Sequence, residues 1–134
     1  MNSETPGLTP ALFAKLKSEI ESAGEARFRI AGTSMLPLIR PGEIIRVEPL
    51  QGEPEKFDIL VFKADDRLMG HYVWHLNELS AVAGEKTVVT RGLYHGLEDL
   101  PVPMESVLGR VTNFRIGFFR RLLLNLSAAF RRRR

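Results

Sequence analysis

From Glu25 onward the chain breaks into short β-prone runs separated by turn-forming residues, and this punctuation limits its fold more than any other feature. The runs are ARFRIA, EIIRVEPL, DILVFKA, GHYVWHLNEL, KTVVTRG and ESVLGRVTNF. Each is rich in β-branched or aromatic residues. Between them RPGE, QGEPEKF, ADDRLMG, AGEK and GLEDLPVP supply the Gly, Pro and Asp that turns require. Strands at this spacing, without intervening helical patterns, predict a mainly β domain with a mostly antiparallel sheet and not βαβ units.

The two ends of the chain read differently. Thr9 can cap a helix that Pro10 begins, and Leu12, Phe13, Leu16 and Ile20 recur at helical spacing up to Gly24. A helix is expected over roughly 10–23. At the other end, IGFFRRLLLNLSAAFRRRR places Phe118, Phe119, Leu122, Leu123, Leu126, Ala129 and Phe130 in one arc of about 140° on a helical wheel. Arg120, Arg121, Asn125, Ser127 and Arg131 fall opposite, and Leu124 is the one large apolar misfit. An amphipathic helix with a cationic face fits an anionic membrane surface, through Phe119, Arg120, Arg121, Leu122, Leu126 and Phe130. The same arc would also suit packing on the protein's own core or a contact between copies, and the oligomeric state stays open.

A chain of 134 residues is long enough for one real core. The expected divisions are a helical segment 1–26, a β domain 27–113 and a basic amphipathic helix 114–134. There is no cysteine, hence no disulfide, no thiolate nucleophile and no thiolate metal site. The net charge of +3 conceals a division: seven arginines and no acid lie in 114–134, while the rest holds 12 Lys and Arg against 16 Asp and Glu. A basic tail on an acidic body argues against a fold built to hold nucleic acid. The opening MNSETPGLTP has neither the basic start nor the apolar stretch of a secretory leader. No run approaches the ~20 apolar residues that span a bilayer.

Chemistry could reside in AGTSMLPLIRPGEIIRVEP, residues 31–49, where Ser34 sits in unusually rigid company. A serine hydroxyl needs a neighbouring base to act as a nucleophile. The candidates are His71, His75 and His95, with lysines such as Lys63 behind them. Strand alternation puts His71, Val73 and His75 on one face of HYVWHL and Tyr72 and Trp74 on the other. His71 and His75 would be about 13 Å apart on a strand, which disfavours a shared metal. Spacing alone selects no pair among these residues.

The motifs resolve the choice by resemblance. GTSMLPLIRPGEIIRV resembles the nucleophile box of the signal peptidase I and LexA-like serine peptidase superfamily, in which a Ser-Met pair is followed by Pro, a short apolar stretch, a Pro-Gly-acid turn and a strand. KFDILVFK is similar to the Gly-Asp-Ile-Val-Val-Phe strand of that family, with Phe57 where Gly is usual. GHYVWHL resembles the His-Arg-Val segment of its Ser-His branch. VVTRGLYHGLEDLPVPMESVLGRV resembles the Thr-Lys-Gly-Asp segment and the elements that follow it. The likeness runs in order over roughly 28–111.

The resemblance implies a coiled, mostly antiparallel β fold and serine endopeptidase activity on a peptide or small protein, without cofactor or metal. Carried over, Ser34 is the nucleophile, His71 the general base and Asp99, nine residues after Thr90, the acid. Thr33, Met35 and Leu36 would serve the oxyanion site and substrate groove. Besides Phe57, three positions depart from the pattern: Tyr72 replaces an Arg, Leu93 an Asp, and Glu98 stands before Asp99. The family's transmembrane anchor is also not found in this sequence. The expected location is therefore cytoplasmic, peripheral at the inner membrane face. An inactive peptide-binding module of the same fold and a membrane-surface adaptor are the alternatives.

Overall fold

Seven strands and two terminal helices make up the computed structural model, which describes residues 7–77 and 86–132. Helix α1 spans Pro10–Ala23, and Thr9 Oγ1 accepts the Leu12 N–H at 3.1 Å as the cap. Gly24 ends it with φ +85°, the left-handed conformation that costs glycine least. The strands follow as β1 (Ala26–Arg29), β2 (Ile44–Glu48), β3 (Ile59–Ala64), β4 (Arg67–Asn77), β5 (Thr87–Arg91), β6 (Val102–Pro103) and β7 (Val107–Val111). Helix α2, Phe118–Arg132, follows β7.

All pairings are antiparallel, in the order β1-β2-β7-β3-β4-β5-β6. The last strand therefore lies between β2 and β3. This central position explains Gly109: a Cβ there would collide with the Glu48 carbonyl and the Val47 side chain. The two sheet faces bury separate apolar groups. Ile45, Val47, Ile59, Val61, Tyr72 and Trp74 join Phe13 and Ile20 of α1 in the larger one. Leu60, Phe62, Val73, Val88, Val102 and Val107 form the smaller.

The expected elements are recovered with local adjustments. Only Asp65 and Asp66 of ADDRLMG form a turn, with Asp65 at φ +56°, and β4 begins at Arg67. A two-residue hairpin loop needs positive φ, which a short polar side chain tolerates. Val102–Pro103, read as turn, adds the edge strand β6. The run beyond Asn77 and AGEK up to Glu85 lie outside the described residues. The alternation expected across HYVWHL is interrupted, because the register shifts between Val73 and His75. His75 pairs with Val89 and is exposed instead of continuing the His71–Val73 row.

Phe57 carries a backbone consequence of its identity. Its φ is +75°, a conformation rare for a bulky residue and natural for glycine. The ring is buried against Tyr72, stacked at 6.1 Å, and edge-on to Trp74 at 6.3 Å. Aromatic packing holds a conformation that the backbone alone would disfavour.

Helix α2 corrects its wheel reading. Leu124, the apparent misfit, packs with Ala128 on the core. Arg121, expected on a membrane surface, is half-buried: its guanidinium lies 5.3 Å from the Phe57 ring centre, and Nε donates to the Ile116 carbonyl. Asn125 Oδ1 accepts from Lys56 Nζ at 2.9 Å. Phe118, Phe119, Leu122, Leu123 and Leu126 are exposed, so the apolar arc does not pack on the body. Phe130 lies on the helix, but its side chain is outside the described residues. No described helix is long and apolar enough to cross a membrane.

Candidate active site

Three separate segments bring the candidate residues together. Ser34 lies in the turn 33–39 between β1 and β2, His71 in β4, and Asp99 in the loop after β5. In the turn, the Thr33 carbonyl accepts the Leu36 N–H and the Met35 carbonyl the Ile39 N–H. Met35 and Ile39 are buried and anchor it. The Ser34 carbonyl accepts the Tyr94 N–H at 2.9 Å, which fastens this turn to the loop carrying Asp99.

That loop folds back on β5. The Asp99 N–H donates to the Thr90 carbonyl at 2.8 Å, and the backbones of Arg91 and Glu98 pair as an isolated antiparallel bridge. Inside it the Gly96 N–H donates to the Gly92 carbonyl, with Gly96 at φ +66°. The Arg91 guanidinium donates twice to the Gly96 carbonyl, at 3.1 and 2.9 Å, and lies 4.2 Å over Trp74. A buried arginine thus clamps the loop to the sheet. The sequence did not single out Arg91, since an arginine closing a strand carries no local mark of such a role.

The result is a compact polar cluster. His71 Nδ1 and Asp99 Oδ2 are 2.5 Å apart, and the Thr90 hydroxyl donates to the same oxygen at 2.7 Å. Thr90 is fully buried and His71 nearly so, while Asp99 keeps partial exposure. The carboxylate makes the Nδ1–H tautomer the favourable one, leaving Nε2 as an acceptor. Phe62 meets the imidazole edge-on at 6.0 Å and further fixes the ring.

His71 Nε2 and the Ser34 backbone both approach Gly92. A methyl group placed on Gly92 would stand 3.4 Å from the Ser34 carbonyl oxygen and 3.5 Å from His71 Nε2, so these two atoms lie within about 6.9 Å of each other. Ser34 and His71 line one groove of about 360 Å³, with Phe28, Ile30, Met35 and Met69 among its apolar walls. Arg29 and Arg67 also border it. No hydrogen bond joins Ser34 Oγ to His71, and the Ser34 N–H donates to no described group.

The remaining expectations separate. Met35 lines the groove, whereas Thr33 is exposed and neither Thr33 nor Leu36 lines it. His95 is exposed beside Tyr94, and Lys63, though paired with the groove-lining Leu68 in the β3–β4 hairpin, does not itself line the groove. Tyr72 belongs to the opposite face of β4 from His71 and is buried in the larger core group. Leu93 is likewise buried in that core and offers no charge to the site. Glu98 is exposed. Comparison with protein-family models, curated proteins and solved structures finds no match to this chain.

Proposed function

We propose that the protein is a serine peptidase of the signal peptidase and LexA-like type, acting through Ser34, His71 and Asp99. The observation that carries this reading is the 2.5 Å His71–Asp99 contact in a histidine that lines the same groove as Ser34. An aspartate held by a buried threonine hydroxyl and paired with a groove-lining histidine suits a general base.

The chemistry then follows. Ser34 Oγ attacks a peptide carbonyl while its proton passes to His71 Nε2. Asp99 keeps the imidazole oriented and stabilises its cationic form without taking the proton. The Ser34 N–H is available to the developing oxyanion. His71 returns the proton to the leaving amine, and a water activated by the same nitrogen hydrolyses the acyl ester. The groove suits an extended substrate presenting an apolar side chain.

A degenerate peptide library analysed by mass spectrometry tests the reading. Wild-type protein should yield cleavage products that Ser34→Ala abolishes, and His71→Gln should slow cleavage by about 10²–10⁴-fold. Folded wild-type protein without products, or products unchanged by Ser34→Ala, would sink it. The missing Ser34–His71 hydrogen bond favours a second reading, a peptide-binding module without catalysis. That module would retain library peptides uncut, and equally so with His71→Gln.

A further inference from the structure

The outer face of α2 is a continuous apolar surface on a helix already docked by its other side. Arg121, Leu124, Asn125 and Ala128, which follow one another at helical spacing, make the contacts with the body. Phe118, Phe119, Leu122, Leu123 and Leu126 centre roughly 140° away around the helix. They are 46–79% exposed. The inner contacts fix the helix on Phe57 and Lys56, so the apolar arc cannot turn inward without breaking them. Neither packing nor propensity accounts for five large apolar side chains held in solvent.

We infer that α2 is an interfacial anchor that lies in the plane of an anionic lipid surface with this arc in the acyl boundary. Charge selects the occupant. The seven arginines of 114–134 face no acid within that segment, and Arg120 is exposed beside the arc. Arginines flanking a buried apolar stripe would meet lipid phosphates at headgroup depth. A second copy docking arc to arc would instead bring two acid-free, arginine-rich helices together, which their mutual repulsion opposes. With 15 residues, α2 is about 22 Å long, too short to cross a hydrocarbon core of about 30 Å but suited to lie along one. Anchoring would place the body on the aqueous side, because the body holds the opposite side of the helix.

Flotation of the full chain with vesicles tests this inference separately from catalysis. The protein should float with vesicles of phosphatidylglycerol and phosphatidylcholine in equal parts, remain unbound with phosphatidylcholine alone, and bind less as salt rises. Phe119→Ser, Leu122→Ser and Leu126→Ser together should weaken binding about tenfold or more while circular dichroism stays unchanged. Replacing Arg131 to Arg134 by glutamine leaves every apolar residue of the segment in place and should weaken binding to the anionic vesicles as well. Absence of wild-type binding to anionic vesicles, or undiminished binding by either variant, overturns the inference. A wild-type dimer in sedimentation that the triple serine variant dissociates, with no vesicle binding, would make a second copy the occupant.

Discussion

Helices α1 and α2 are both amphipathic, yet they meet the body in opposite ways. In α1 most of the stripe that the periodicity marks as apolar packs: Phe13 and Ile20 are buried and Leu16 lies against the core, while Leu12 at its edge stays 43% exposed. In α2 the marked arc stays outside, and the residue that breaks the pattern, Leu124, goes in. Periodicity therefore identifies an apolar face without identifying what covers it. The covering depends on what the neighbouring surface offers. Under α2 that surface is Lys56 and Phe57, which suits an amide and an arginine as well as a leucine.

Three substitutions sharpen or break this contrast, measured by chemical denaturation. Ile20→Ala, at a position only 1% exposed, should destabilise by about 3 kcal/mol through lost burial and a residual cavity. A loss under 1 kcal/mol would mean that α1 is held no better than α2. Phe57→Gly removes the ring on which Arg121 rests but relieves a left-handed backbone. About 3 kcal/mol lost against about 1 kcal/mol returned leaves a net loss of about 2 kcal/mol. Net stabilisation would show that the ring contributes less than its backbone costs. Leu126→Ser, on the outer arc of α2, should stay within about 0.5 kcal/mol of wild type. A larger loss would place that arc against the body in solution, erasing the distinction between the two helices.

The site was legible unevenly, and the reasons are physical. Asp99 could be paired with His71 only through a resemblance, because 28 residues and a folded-back loop separate them in the chain. Hydrogen-bond geometry, which turns Thr90 from a reference point in a motif into a donor to Asp99, is not a local property of sequence. Whether Thr33 and Leu36 reach the groove depends on a turn fastened at both Met35 and Tyr94, and neither residue lines it. The irregularity at His75 was invisible for the same reason. A bulge arises from pairing between strands, which a single strand's alternation does not contain.

Local chemistry in the sequence was enough to determine the first helix with both caps, most of the strands, the absence of thiol chemistry and the segregation of charge into the tail. These follow from propensity, capping and composition, each of which acts within a few residues. Tertiary structure alone decided that β7 lies between β2 and β3, that Arg91 clamps the loop bearing Asp99, and that α2 turns its apolar arc outward. Each of these is a choice among partners distant in the chain. It is made by whichever packing satisfies both surfaces at once, a condition that no single segment encodes.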